Sequence, residues 1–222
     1  MLLLLHGALG SKAQLDPLLK RLPGYEYPVA LNFPGHGGRP IEGAFSLKGF
    51  AESVLQYMDE HETKFANIMG YSLGGYVALY LARWYPDRVS RVWTLNTKFD
   101  WSPESTARMQ GMMNAEKIEA KAPQMAAQFA ALHAPEDWKS VARHTSDFLK
   151  TLGEGAGLTD DDFAQINHTV LLLRGTNDAV VSEEETERIG RLLPNGMTFP
   201  IPDSGHLPEQ IDWNEVAAYW SL

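Results

Sequence analysis

Short apolar runs alternate with stretches of helical periodicity along the whole sequence. This alternation is typical of stacked βαβ units, and it predicts an α/β fold with a mainly parallel sheet of about six strands and helices on both faces. The runs are apolar throughout rather than at every second position, as expected of strands that are covered on both faces. The predicted strands are residues 2–5, 27–32, 65–70, 89–95, 169–174 and 197–201.

Four helices can be assigned between and after these strands. Ser46 is a suitable N-cap for a helix over residues 47–58, whose apolar positions follow the i, i+3, i+4, i+7 spacing of one buried face. Residues 73–85 are apolar nearly all round, which predicts a helix at the centre of the fold. Residues 183–193 form an amphipathic helix, and residues 213–222 form the last one.

Residues 98–167 interrupt the alternation, because this segment contains helical pieces broken by prolines but no convincing strand. We interpret it as a helical insertion between two strands of a body made of residues 1–97 and 168–222, so that the whole chain is one domain. The methionine and aromatic side chains of the insertion have two possible roles. They pack the insertion against the body, or a few of them line a pocket.

The composition excludes several classes of function. With 19 basic and 28 acidic residues among 222, the net charge is −9, and a nucleic-acid partner is not expected because phosphate binding needs a basic face. The sequence has no cysteine, which excludes disulfides, thiolate metal sites and cysteine nucleophiles. The apolar run at residues 1–5 is too short for a signal peptide, and no window approaches the ~18 apolar residues of a membrane span. We therefore expect a cytoplasmic protein without a membrane partner.

Residues 70–74, Gly-Tyr-Ser-Leu-Gly, match the pattern G-x-S-x-G between a predicted strand and a predicted helix. A serine on such a sharp turn has a strained backbone, and glycines two positions away on either side relieve the crowding. An ordinary glycine-rich turn would not require this context. The motif therefore favours Ser72 as a nucleophile.

A serine nucleophile needs a general base, and the base needs a carboxylate to orient it. Asp178 follows the fifth predicted strand and His206 follows the sixth. Because functional groups of open α/β sheets gather beyond the carboxyl ends of the strands, we expect Ser72, Asp178 and His206 to meet there. Asp203 and Glu209 are alternative acids, but neighbours along one loop seldom point at each other, which favours Asp178.

The intermediate of an acyl transfer also needs hydrogen-bond donors for its oxyanion. The backbone N–H of Leu73 lies directly after the nucleophile, at a helix N-terminus where the dipole favours negative charge. We expect the second donor in the loop after the first strand, residues 6–11, and select Ala8.

The remaining histidines are assigned structural roles. His6 and His36 flank glycine-rich loops near the same edge of the sheet and are interpreted as positioning those loops. His61, His133 and His144 lie in helical or loop stretches without partners, and surface or satisfied-core roles are expected for them. His168 precedes a strand and is expected at the wrong edge of the sheet. No dinucleotide-binding or metal-binding pattern is complete, so neither a cofactor nor a metal is expected.

Five motifs taken together resemble the α/β-hydrolase superfamily. In order they are His-Gly-Ala at residues 6–8, Asn-Phe-Pro-Gly-His-Gly at 32–37, Gly-Tyr-Ser-Leu-Gly-Gly at 70–75, Asp178, and Gly-His at 205–206. The resemblance implies an acyl- or ester-cleaving serine enzyme with Ala8 and Leu73 at the oxyanion hole and residues 98–167 as a cap. It also implies that the first two strands of the family are lacking, because relatives usually have two strands before the one at residues 2–5.

Within that superfamily the chain is similar to small carboxylesterases, to carrier-protein esterases of biotin synthesis and to menaquinone-pathway synthases, which usually carry arginine at the position of Tyr76. The leading hypothesis is a serine hydrolase that cleaves a carboxylic ester or thioester of a small to medium acyl group. The alternatives are a C–C hydrolase or lyase that uses the same triad and a binding module whose triad is vestigial. The expected partner is a small-molecule ester or thioester, and the sequence does not indicate an oligomeric state.

Overall fold

The fold is built around one parallel sheet. The computed structural model describes residues 1–22 and 28–221. Its strands are β1 (Leu2–Leu5), β2 (Pro28–Leu31), β3 (Ala66–Tyr71), β4 (Val89–Leu95), β5 (Thr169–Gly175) and β6 (Gly196–Ile201). They form a six-stranded sheet in the order β2-β1-β3-β4-β5-β6, and every pairing is parallel. This confirms the predicted α/β fold. The prediction for the second strand began at Tyr27, which lies outside the described residues.

Helices fill the connections between the strands. They are α1 (Asp16–Leu19), α2 (Leu47–Glu60), α3 (Leu73–Trp84), α4 (Pro103–Met112), α5 (Ala115–Lys121), α6 (Pro123–His133), α7 (Trp138–Thr151), α8 (Asp160–Ala164), α9 (Glu183–Leu192) and α10 (Trp213–Ala218). Short 3₁₀ turns lie at Lys12–Leu15, Pro86–Arg88, Pro208–Gln210 and Tyr219–Ser221, and a π-helical turn lies at Leu152–Ala156. None of the helices within residues 1–22 and 28–221 is both long and apolar enough to cross a membrane.

The helix boundaries follow the capping chemistry of the sequence. Ser46 caps α2, since its Oγ accepts a hydrogen bond from the backbone N–H of Gly49. Ser182 and Glu185 form a reciprocal capping box at the start of α9. The last predicted helix, residues 213–222, is wrong in its second half, because the α-helix ends at Ala218 and the chain tightens into a 3₁₀ turn. Its predicted end at residue 222 lies outside the described residues.

The strands are apolar throughout because both faces of the sheet are covered. Leu3 and Leu5 point into a core that they share with α2 and α3, whereas Leu2 and Leu4 pack with α1 and α10 on the opposite face. All four leucines are fully buried. The same alternation along β3, β4 and β5 gives each face its own apolar cluster, so the carboxyl ends of the strands are the edge left for loops and chemistry.

Five helices, α4 to α8, lie between β4 and β5 in the chain, and we call them the inserted helices. Their apolar side chains join the same cluster as α2 and α3, through residues such as Met109, Val141 and Phe148. They therefore pack on the sheet face that carries the helix beginning after Ser72.

Candidate active site

Ser72 occupies a strained turn between β3 and α3. Its backbone has φ 52° and ψ −117°, a conformation that costs energy for a residue with a Cβ. The flanking glycines are needed because a Cβ at Gly70 would collide with the backbone of Gly74, and a Cβ at Gly74 would collide with the backbone of Leu5. The G-x-S-x-G pattern is thus explained by the close approach of α3 to β1 and β3.

The strained turn is held by hydrogen bonds on both sides of the serine. The Ser72 N–H donates to the carbonyl of Leu95 at 2.8 Å, and the Thr97 hydroxyl donates to the Ser72 carbonyl at 3.1 Å. Leu95 is the last residue of β4, and Thr97 lies two residues beyond it. The neighbouring strand therefore fixes the backbone of Ser72 and leaves its side chain free.

His206 lies within hydrogen-bonding reach of both Ser72 and Asp178. The Ser72 Oγ is 3.4 Å from His206 Nε2, and His206 Nδ1 is 2.8 Å from Asp178 Oδ2. Because a carboxylate only accepts hydrogen bonds, Nδ1 carries the proton and Nε2 presents its lone pair to the serine. Of the three candidate acids, Asp178 is the one bonded to His206; Asp203 and Glu209 are both exposed.

The Asp178 carboxylate is buried, and both of its oxygens accept hydrogen bonds. Its other oxygen, Oδ1, accepts the backbone N–H groups of Val180 at 2.7 Å and Val181 at 2.9 Å. Its side chain has no exposed surface, whereas the His206 side chain keeps 15% of its surface exposed. The carboxylate is thus fixed by the loop after β5, and it holds an imidazole that stays partly exposed.

Two further side chains position this group, and the sequence analysis did not single them out. Asn96 bridges the two loops behind the histidine, because its Nδ2 donates to the Gly205 carbonyl and its Oδ1 accepts from the Gly175 N–H, both at 2.8 Å. The Tyr71 hydroxyl donates to the His206 carbonyl at 2.8 Å. The detectable signal for Asn96 is a polar residue directly after a buried apolar strand.

The loop formed by residues 6–11, which we call the Ala8 loop, passes beside the serine. A Cβ at Gly7 would stand 3.2 Å from the Ser72 Cβ and 2.9 Å from Tyr71 Cε1, so only glycine allows this approach. Within the described residues, the N–H groups of Ala8 and Leu73 donate to no acceptor. Two unengaged backbone donors therefore flank the serine, one in the Ala8 loop and one at the start of α3.

Three buried histidine rings lie next to one another: His6 in the Ala8 loop, His36 in the loop after β2 and His133 at the end of α6. The ring centroids of His6 and His36 are 5.1 Å apart, and those of His36 and His133 are 5.7 Å apart. Burial lowers the pKa of all three, that of His36 to about 4. His6 accepts the Phe33 N–H and contacts the Gly7 carbonyl at 2.7 Å, which agrees with a loop-positioning role. The expectation that His133 lacks a partner is wrong, since its ring bonds to both Gly37 and Leu9.

The other histidines lie away from the serine. His61 bonds the Tyr57 carbonyl and His144 the Ser140 carbonyl, each within its own helix or at its end. His168 contacts the Pro86 carbonyl and precedes β5, at the amino end of the strands. Across residues 1–22 and 28–221, no three His, Asp or Glu side chains are grouped so that they could hold a metal ion.

Comparison with known proteins gives consistent matches over nearly the whole chain. The family model described as "Alpha/beta hydrolase family" matches residues 2–218. Pimeloyl-(acyl-carrier protein) methyl ester esterase of Neisseria meningitidis serogroup C is 30% identical over 227 residues, covering 92% of this chain and 86% of the relative. Lipase 3 of Moraxella sp. is 23% identical over 226 residues, covering 93% and 71%. The structure of a thermophilic esterase from Thermogutta terrifontis shares the fold, with a TM-score of 0.78 and 22% identity over 99% of this chain and 87% of that one.

Proposed function

The chain belongs to the α/β hydrolase family, and we propose that it is a serine esterase that cleaves a carboxylic ester or thioester of a small to medium acyl group. The observation that carries this proposal is the continuous contact from Ser72 through His206 to Asp178, with the serine on a strained turn. Such a chain of nucleophile, base and orienting acid is the arrangement that acyl transfer requires.

In the acylation half, His206 Nε2 removes the proton from Ser72 Oγ as the oxygen attacks the substrate carbonyl. The 3.4 Å separation is long for a hydrogen bond, and such contacts tighten once substrate is bound. The resulting oxyanion accepts from the free N–H groups of Ala8 and Leu73. The alcohol or thiol then leaves with the proton held by His206, and an acyl-serine remains.

In the deacylation half, His206 removes a proton from water, which attacks the acyl-serine carbonyl. Collapse of the second tetrahedral intermediate releases the carboxylic acid and returns the proton to Ser72 Oγ. Asp178 stays ionised throughout and stabilises the charged imidazole. Its two backbone donors, from Val180 and Val181, keep it aimed at Nδ1 in both halves.

We further propose that residues 98–167 act as a cap over this site, on a body formed by residues 1–97 and 168–222. The inserted helices pack on the face of the sheet that carries α3, whose first residue, Leu73, follows the serine and belongs to the same apolar cluster. A cap in this place would exclude water and select the acyl group. The names of the relatives make a methyl ester of an acyl chain on a carrier protein the first physiological candidate to test.

A carbon–carbon lyase of the menaquinone-pathway type is not favoured. The relatives that are 30% identical over 92–93% of this chain are methyl ester esterases of acyl-carrier proteins. The side chain at the position where those synthases usually carry arginine is Tyr76, which is buried and accepts the Leu158 N–H at 2.8 Å. An uncharged, occupied hydroxyl offers no cation for an anionic substrate.

The test is an activity screen over p-nitrophenyl esters and acyl thioesters of graded chain length. Ser72→Ala is expected to lower turnover by about 10⁴-fold or more, because the nucleophile is lost. Ser53→Ala, a substitution on α2 away from the site, serves as the matched control and should keep wild-type turnover. A fluorophosphonate probe should label the wild type at Ser72. Wild-type turnover by Ser72→Ala would contradict the proposal.

A further inference from the structure

The last residue of α6, His133, reaches out of the inserted helices and ends between two loops of the sheet. Its ring is fully buried. His133 Nδ1 lies 3.2 Å from the backbone nitrogen of Gly37, and Nε2 lies 3.2 Å from the carbonyl oxygen of Leu9. One side chain thus connects α6 to the loop after β2 and to the Ala8 loop.

The two partners decide the protonation of the ring. The Gly37 N–H can only donate, so Nδ1 must be an unprotonated acceptor. The Leu9 carbonyl can only accept, so Nε2 must carry the proton and donate to it. The ring is therefore neutral, in the Nε2–H form, and both of its nitrogens are used.

The bond to Leu9 falls on the turn that contains Ala8. Gly10 N–H donates to the Gly7 carbonyl at 3.1 Å, which closes a turn with Ala8 and Leu9 at its two central positions. Leu9 has φ 52°, a left-handed conformation that is unfavourable for leucine and needs outside support. The Gly7 N–H is bonded to Gln14, so the turn is held at both ends and the Ala8 N–H stays unengaged between them.

We propose that His133 is a positioning residue for the Ala8 loop: by donating to the Leu9 carbonyl it keeps the Ala8 N–H aimed at the reacting oxygen, and it makes that donor depend on the docking of α6. This rests on the proposed serine esterase activity. His133 does not touch the reacting atoms, and it acts through the turn that it stabilises. A displacement of α6 would therefore weaken oxyanion stabilisation as well as open the site.

The surroundings of the ring favour this neutral arrangement. The titratable groups that face it are His36, in the loop after β2, and His6, behind His36 in the Ala8 loop. His36 Nδ1 contacts the Pro34 carbonyl, and its Nε2 has no hydrogen-bond partner among the described residues. No acidic side chain is among the causes that shift the pKa of His133, which burial lowers. Protonation of His133 would also force Nδ1–H against the Gly37 N–H.

Three substitutions separate the two bonds of His133. Glutamine places an amide N–H near the position of Nε2 and keeps the bond to Leu9. Asparagine places a carbonyl oxygen near the position of Nδ1 and keeps the bond to Gly37 alone. Leucine removes both bonds but retains the bulk. None of the three side chains titrates.

The experiment measures kcat, KM and the rate of fluorophosphonate labelling of Ser72 for His133→Gln, His133→Asn and His133→Leu, together with their melting temperatures. Since loss of one complete oxyanion donor lowers kcat by about 10²–10³-fold, we expect the misplaced donor in the Asn and Leu variants to lower kcat and labelling by about 10-fold or more. KM should change by less than about 3-fold, and the Gln variant should stay within about 3-fold of wild type. A trifluoromethyl ketone, whose adduct carries an oxyanion, should bind more weakly in the same order.

Other outcomes overturn the inference. Equal kcat in all variants contradicts it. A fall in kcat that is the same in the Asn and Gln variants and parallels their loss of melting temperature also contradicts it, because His133 would then have a purely structural role. If the Leu variant does not fold, the Asn and Gln pair still decides. If the probe labels the wild type and the Asn variant equally fast, only the role of His133 is refuted. A wild-type protein that is neither labelled nor active on esters refutes the esterase proposal as well.

Discussion

The sheet and the inserted helices are held in place by different kinds of interaction. Along the sheet, every strand is bonded to its neighbours through the backbone, and the loop that carries Ser72 starts at a strand end. The inserted helices are fastened to the sheet region by side chains. Examples are the Tyr76 hydroxyl, which accepts the Leu158 N–H at 2.8 Å, and Arg83, which pairs with Asp162 at 3.0 Å.

The difference also shows in burial. The four residues of β1 are completely buried, whereas α5 buries only Ala115 and α6 only Ala126 and His133. Two methionines of the inserted helices, Met112 and Met125, are more than 40% exposed. The sheet therefore has many redundant contacts, whereas α5 and α6 bury few residues, so that polar attachments add noticeably to the apolar packing that holds the inserted helices.

The largest difference between the sheet and the inserted helices is expected for two glycine substitutions, both within helices. A Cβ at Gly74 in α3 would collide with the Leu5 backbone in β1, while a Cβ at Gly111 in α4 meets nothing within 4 Å. We expect Gly74→Ala to lower the free energy of unfolding by about 4 kcal/mol or to prevent folding. Gly111→Ala should raise it by about 0.5–1 kcal/mol. Urea unfolding measures both, and similar changes at the two positions would contradict the comparison.

The second prediction concerns the junction of the two regions in acid. Burial, with a smaller contribution from the nearby His133, lowers the pKa of His36 from 6.5 to about 4. The unfolded chain therefore binds more protons between these values, so this contribution to stability is complete above pH 6.5 and is lost as the pH falls towards 4. The loss amounts to up to about 3 kcal/mol.

Urea unfolding of wild type and His36→Phe between pH 7 and pH 4.5 measures this effect. The phenylalanine variant starts less stable, because the Pro34 carbonyl loses its donor, but its stability should fall less steeply with pH. His61→Phe removes an exposed histidine and should keep the wild-type pH dependence. Parallel curves for wild type and His36→Phe would show that His36 does not weaken the junction in acid.

The third prediction, with the smallest expected change in the free energy of unfolding, concerns two ion pairs. Lys98 and Glu185 join the start of the inserted segment to α9, with side chains only 5% and 11% exposed, and Glu185 also accepts the Phe99 N–H. Lys98→Met should cost about 2 kcal/mol, because it leaves a buried carboxylate without its cation. Lys139 and Glu119 form a solvent-exposed pair, so Lys139→Met should change the free energy of unfolding by too little to measure. Equal losses in urea unfolding would contradict the distinction.

Much of the candidate site could be predicted because its signals are local or follow from topology. The G-x-S-x-G motif needs only the strand before it and the helix after it, and both were readable from apolar periodicity. The order of strands then placed Asp178 and His206 at the same edge as Ser72. The structure brings these three side chains into hydrogen-bonding reach. Their catalytic roles remain the proposal made above.

The sequence by itself determined the sheet, its apolar strands and the turn that carries Ser72, since periodicity and glycine placement act over a few residues. Only the tertiary structure decided what supports that serine. His133 meets partners 96 and 124 residues away, and Asn96 bonds across 109 and 79 residues. The sequence of α6 predicts a helix but does not specify which loops that helix packs against. Its docking is set by the packing of the whole apolar cluster, which no short stretch of sequence contains.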